Sequence, residues 1–167
     1  QLWKAIGELI RENRELADNF RLRLAGKVSE EVLKSIEDSQ LQSYLVNEGY
    51  VSHSRAVEIQ RSASVLLLIE IDSEETRGII PGKLFEYLAS KRPILAIGPD
   101  AWDVERIIAG TGAGEVYSYG SMSEIKARIS WHFQKYIDGE LRCDSHDIAQ
   151  YHRKNLTAKL ANLIKEL

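Results

Sequence analysis

The stretch from Arg77 to Gly98, RGIIPGKLFEYLASKRPILAIG, reads as loop, short helix, turn and buried strand in one run. Pro81 suits the first helical position, because its missing N–H would have no partner there and its φ is already helical. Gly82 follows, with no Cβ to hold a ligand away from the backbone. Leu84, Phe85 and Leu88 recur at helical spacing and predict one apolar face. Pro93 then opens ILAIG, an apolar run closed by Gly98-Pro99, which predicts an interior strand. A helix beginning Pro81-Gly82-Lys83 presents free amides, the positive end of its dipole and an ammonium to whatever lies before it. That combination predicts a phosphate or pyrophosphate site.

Outward from this stretch, helical and strand patterns alternate. Leu2, Trp3, Ile6, Leu9, Ile10 and Leu16 share one stripe, which predicts an amphipathic helix over residues 2–16. Phe20 to Ala25 reads as a strand ending at Gly26, and Ser29 as the cap of a helix that turns Val32, Leu33 and Ile36 inward. A short strand falls within Leu45 to Val51, with Tyr50-Val51 as its expected centre. Ser52 or Ser54 caps the helix that carries Ala56, Val57 and Ile59. Val65 to Ile69 is an apolar strand suited to burial on both faces. Trp102 to Ala109 predicts a helix, Gly110 to Gly114 a turn and Glu115 to Tyr119 a last strand. Ser121-x-x-Glu124 is a capping box that opens a helix with Ile125, Ile129, Phe133 and Ile137 inward. Ile148, His152, Leu156, Leu160, Leu163 and Leu167 line a final helix, on whose apolar face His152 packs. Short apolar strands alternating with helices predict an α/β fold, a parallel sheet with helices on both faces. Ligands of such sheets sit beyond the carboxyl ends of the strands.

The 167 residues suit a single domain with a substantial core. A net charge of −3 argues against a nucleic-acid partner, which calls for a basic excess. One cysteine, Cys143, excludes an internal disulfide and fits a reducing, cytoplasmic compartment. No apolar run reaches the ~20 residues of a membrane span. Peripheral membrane contact is compatible with this composition, but no residue pattern marks it. The chain opens at Gln1, without a methionine, straight into a helix, and so reads as a fragment of a longer protein.

Pro81-Gly82-Lys83-Leu84-Phe85-Glu86-Tyr87-Leu88-Ala89, with Lys91-Arg92-Pro93-Ile94-Leu95-Ala96 after it, resembles the signature of the glycosyltransferase group 1 (family 4) enzymes. Val51-Ser52-His53, the run Gln60 to Leu68, and Phe20 to Gly26 are similar to further segments of the same family. The resemblance extends from the first residues to about residue 118. It implies that residues 1–167 are the C-terminal, donor-binding domain of a GT-B glycosyltransferase. The fold it implies is a Rossmann-like parallel sheet that lacks the first strand of the usual domain. The missing strand is central in the expected order, so its neighbours must either pair directly or leave a gap.

The family also implies a cytoplasmic enzyme of polysaccharide biosynthesis, transferring a sugar, with retention, from a nucleotide-diphosphate sugar to an acceptor. The acceptor would be held by an N-terminal domain absent here, and the isolated fragment would be inactive. No cofactor or metal is implied, and no catalytic residue is assigned. The donor site carried over by resemblance comprises Gly78, Ile80, Pro81, Gly82, Lys83 and Glu86, with Lys27 and His53 on the same rim. Glu86 would accept hydrogen bonds from ribose hydroxyls, while Lys83 and the amides of Gly82 to Leu84 would hold phosphate oxygens. The family's acidic pair is Glu-x7-Glu. Glu86 matches the second member, but Gly78 stands at the first.

Other readings of the same residues stay open. Glu86 could equally be a helix glutamate paired with Lys83 at i, i+3, and Lys27 a solvated loop charge. His53 could be a surface residue of a capping segment. Glu70-x-Asp72-x-Glu74 is read as solvated carboxylates rather than a metal site. Trp102 and Tyr119 are read as packed against neighbours rather than stacked on a base. Gly78 keeps a second function in view, a non-catalytic nucleotide-sugar-like binding or docking module. A related two-domain fold such as a sugar epimerase is a third.

Overall fold

The structure is a computed structural model that describes residues 2–166. These residues form two compact units. One holds the residues up to 62 together with 119–141, and the other holds residues 63–118 and those from 142 onward.

In the first unit, helix α1 (Leu2–Glu12) buries Leu2, Ala5, Ile6, Leu9 and Ile10. It does not run on to Leu16, as the apolar stripe predicts. Asn13 takes extended angles (φ −133°, ψ 105°) and its side chain accepts from the Leu16 amide, starting helix α2 (Arg14–Asn19). An Asn side chain that can satisfy an otherwise unpaired amide makes such a restart inexpensive. Strand β1 (Leu22–Leu24) pairs in parallel with β2 (Leu45–Asn47), Leu22 opposite Leu45. Tyr50 is therefore not the centre of this strand; it lies beyond it and is 95% exposed.

Between the two strands runs α3 (Glu30–Asp38), capped by Ser29, whose hydroxyl accepts from Val32 N. Ile36 is its buried residue, and Val32 faces solvent instead of the core. Helix α4 (His53–Ser62) is preceded by Ser52, which accepts from Arg55 N at 3.3 Å.

The third strand, β3 (Leu66–Ile69), belongs to the second unit. There it pairs in parallel with β4 (Ile94–Gly98), and β4 pairs in parallel with β5 (Gly114–Ser118). The strands thus make two parallel sheets, ordered β1-β2 and β3-β4-β5. No strand pairing joins the two sheets among the described residues. All five residues of β4 are buried, as an interior strand requires. In β3 burial alternates, so Leu66 and Leu68 face the core while Leu67 and Ile69 are half-buried.

Helices α5 (Lys83–Ser90) and α6 (Val104–Thr111) contribute Leu84, Leu88, Val104, Ile107 and Ile108 to that core. Gly110 and Thr111 still belong to α6, and the glycine-rich turn contracts to Gly112, a left-handed cap at φ 60°. Gly114 then opens β5, where a Cβ would run into the Ile94 carbonyl of the neighbouring strand.

Helix α7 (Met122–Ile137) returns to the first unit and packs on α1, with Lys126 bonded to Glu8 at 2.9 Å. The Lys126 ammonium donates to Glu8 and holds its carboxyl below the ordinary carboxylate range. The expected capping box is not made, since Ser121 forms no side-chain cap. Ile125 and His132 are the buried residues of α7, whereas Ile137 is exposed. The predicted last helix divides into a 3-10 turn (Ile148–Tyr151) and α8 (Arg153–Lys165). His152 lies between them, exposed and not packed, and every described residue of α8 is exposed. Leu167 falls outside the described residues.

Candidate anion-binding site

The carboxyl ends of β3 and β4 release the two loops that shape the site, residues 70–82 and 99–103. Thr76 braces the first loop from within, its hydroxyl donating to the Ile71 carbonyl at 2.7 Å. The second loop clamps it from outside. Trp102, only 2% exposed, donates its indole N–H to the Ile79 carbonyl at 2.7 Å, and Asp103 N–H donates to Arg77 O at 2.9 Å. Two hydrogen bonds to backbone atoms two residues apart set the path of the chain into α5.

Gly98 makes the clamp feasible. A Cβ there would overlap the six-membered ring of Trp102, so only glycine lets the indole lie against the end of β4.

Helix α5 begins two residues later than the proline rule predicts. Gly82 is the cap position with helical angles (φ −56°, ψ −31°), and Pro81 stands just before it, its carbonyl accepting from Leu84 N at 2.9 Å. The apolar stripe holds the helix down through Leu84 and Leu88, 0% and 1% exposed. Phe85 is not part of the core. It is 36% exposed and lies against the Tyr151 ring, centroids 5.8 Å apart. Tyr87 fastens the same helix to the sheet by donating its hydroxyl to the Leu67 carbonyl. Burial first, and the Glu86 charge second, push the Tyr87 phenol pKa up, so it stays a neutral donor.

With α5 fixed in this way, its amino end is open. Gly82 and Lys83 are exposed, and a Cβ built on Gly82 meets nothing within 4 Å. Glu86 lies on the exposed side of the helix, one turn along. Ile79 and Ile80 are 47% and 37% exposed and give the approach to the helix an aliphatic surface. Of the expected amides, that of Leu84 is already taken by the Pro81 carbonyl, which leaves those of Gly82 and Lys83, a dipole end and one ammonium for an anion, with a carboxylate a helical turn away to accept hydrogen bonds.

Gly78, at the position of the first family acid, is exposed. A Cβ there would sit 3.9 Å from Asp103 Oδ2, so a carboxylate does border the position, although it comes from the following loop. Sequence reasoning missed Asp103 because 25 residues separate it from Gly78 and only the clamp brings the two loops together.

Lys27 and His53 belong to the other unit. Both are exposed, Lys27 in the loop after β1 and His53 at the start of α4, and so both lie beyond the carboxyl edge of the β1-β2 sheet. Gly26 turns the chain there at φ 108°, and its N–H donates to the Gly49 carbonyl at 2.7 Å. Glu48 binds Arg23 and Arg55 at 3.4 and 3.6 Å, tying β1, the end of β2 and α4 together.

No family model and no curated protein matches the chain. Among solved structures it is similar to a chain of the crystal structure of the GtfA/B complex, with a TM-score of 0.69 and 20% identity. That match covers 99% of this chain and 32% of the other, so this chain spans about a third of the neighbour's length. The likeness concerns the fold, a Rossmann-like arrangement of parallel sheets and helices.

Proposed function

We propose that this chain is the donor-binding part of a glycosyltransferase that uses a nucleotide-diphosphate sugar and transfers the sugar with retention of anomeric configuration. The observation that carries this reading is the open amino end of α5, with Lys83 and Glu86 both on its first turn, at the carboxyl edge of a parallel sheet. In the proposed reaction the bond from the anomeric carbon to the diphosphate breaks, and negative charge grows on the leaving phosphate oxygens. The Gly82 and Lys83 amides, the helix dipole and the Lys83 ammonium would stabilise it without having to reorganise. Glu86 accepts from the ribose hydroxyls, and charge-assisted bonds of that kind fix the nucleoside while the diphosphate is held. The acceptor is bound by a domain outside these residues, and catalysis belongs to the full-length protein. In this reading neither Lys27 nor His53 is assigned a catalytic role.

Titration of the full-length protein with UDP, GDP and their sugars tests this. One of the two nucleotide series should bind, and Glu86→Gln should weaken it by about tenfold or more, the value of one charged hydrogen-bonding pair. Absence of binding by every nucleotide, with wild type and Glu86→Gln indistinguishable, refutes the reading.

A second reading is favoured by one observation, the exposed Gly78 where the family carries an acid. On that reading the domain binds a nucleotide sugar, or docks on a partner, without turnover. Nucleotide-sugar binding unaccompanied by sugar transfer or donor hydrolysis distinguishes it.

A further inference from the structure

Asp103 holds the loop of residues 70–82 through its backbone. Its N–H donates to Arg77 O at 2.9 Å, a bond that almost any side chain would leave in place. The carboxyl group stands at the cap of α6, where Asp commonly accepts from amides of the first turn, yet it makes no such bond. It borders the other loop instead, with Oδ2 3.9 Å from where a Cβ on Gly78 would be. Gly78 and Asp103 are both exposed, so the carboxylate is open to solvent beyond the ends of β3 and β4.

Gly78 and Glu86 stand four residues to either side of Gly82. Glu86 lies about 6 Å along the helix axis, and Gly78 lies in the incoming loop, at most about 14 Å from Gly82 by chain length. A nucleotide-diphosphate sugar has the same order, with the diphosphate between its nucleoside and its sugar. With the diphosphate at Gly82 and Lys83 and the ribose at Glu86, the sugar extends back over the loop, toward Gly78 and Asp103.

We propose that Asp103 holds the sugar of the donor and restricts the site to neutral sugars, a step that rests on the nucleotide-sugar reading and sharpens it. A carboxylate accepts from two neighbouring sugar hydroxyls at once, and such charge-assisted bonds are strong. The same group rejects a uronate, whose own carboxylate brings a like charge and no proton to donate. Arg77, whose carbonyl receives the Asp103 N–H, pairs its guanidinium with Glu74 at 3.2 Å and so is not turned to a second carboxylate. Gly78 leaves the corner without a side chain, so a sugar ring can come against the loop backbone.

Calorimetric titration of the full-length protein tests this with a nucleoside diphosphate, its neutral sugar and the matching uronate. The probes are UDP, UDP-glucose and UDP-glucuronate, or GDP, GDP-mannose and GDP-mannuronate, whichever base binds. Wild type should bind the neutral sugar nucleotide at least about tenfold more tightly than the uronate. Asp103→Asn should weaken the neutral sugar nucleotide by about tenfold, narrow the gap to the uronate and leave the free diphosphate unchanged. Glu86→Gln should weaken all three, which tells a loss on the sugar side from one on the nucleoside side. The thermal midpoint of Asp103→Asn should match wild type, because the backbone bond to Arg77 remains. If the diphosphate binds but wild type does not prefer the neutral sugar, or Asp103→Asn binds it as well as wild type does, the proposal is overturned and the nucleotide reading stands. A lowered thermal midpoint with unchanged affinities also overturns it, in favour of a structural role. Failure of every nucleotide to bind overturns both.

Discussion

His132 is a titratable ring that makes no hydrogen bond. It is 6% exposed on α7, and both its ring nitrogens are buried without a partner among the described residues. Burial foremost, with the Arg128 charge adding to it, pushes its pKa down to about 4 from an ordinary 6.5. The folded chain therefore keeps this ring neutral while the unfolded chain protonates it. The associated stability is fully present above about pH 6.5 and is lost as the pH falls towards about 4. At about 1.4 kcal/mol per unit the loss is on the order of 2–3 kcal/mol. Urea midpoints of wild type and His132→Phe at pH 7.5 and pH 4.5 read it as a difference, which cancels the carboxylates titrating in the same window. A gap between the two proteins that does not change with pH would show the ring to be solvated. The signal for this burial was present in the sequence: His132 lies seven residues after Ile125, on the same helical face, whereas Ile137 falls about a third of a turn away and is exposed. Lys91 offers a second test. It caps α5 in the left-handed region at φ 53°, where a Cβ is unfavourable. Lys91→Gly should raise the stability by up to about 1 kcal/mol, measured by chemical denaturation. That Glu86 and Lys83 fall at the start of one helix was legible in the sequence, because helical register is local.

Among the elements, the loop of residues 70–82 matters most, since it delivers α5 to its place. Its conformation depends on Trp102 and on the missing Cβ of Gly98. Gly98→Ala should push the indole out of its bed and cost about 1–3 kcal/mol, the usual penalty for overpacking a core, read from the thermal midpoint. Trp102→Phe keeps most of the ring but leaves the Ile79 carbonyl without its donor. The expected loss is about 1 kcal/mol, with hydrogen exchange of the loop accelerated ahead of that of the sheet. Unchanged exchange there would mean that Thr76 and the backbone suffice to hold the loop. None of this clamp can be read from spacing, because Trp102 and Ile79 are far apart in sequence and either could have been an ordinary apolar residue. The break at Asn13 is the reverse case. Its cue was local, an Asn three residues before Leu16, but the apolar stripe running past it was the stronger pattern.

Across the whole molecule, protection should follow burial. The amides of β4, buried at all five positions and paired on both sides, should exchange slowest, and those of α8, with no buried residue, fastest. Hydrogen exchange followed by mass spectrometry checks this ranking, and slow exchange of α8 would contradict its exposure. The alternation of short apolar strands with helices and the all-apolar run ILAIG were enough to establish a parallel α/β fold. These follow from backbone geometry and solvent transfer, which act on neighbours along the chain. The division of the strands into two sheets, the encounter of Asp103 with Gly78 and the exposure of the α8 stripe were decided only in three dimensions. Hydrogen-bond partners between strands, and the surface that covers an apolar face, are contributed by residues distant in sequence. Periodicity records that a face is apolar but carries no information about what is there to meet it.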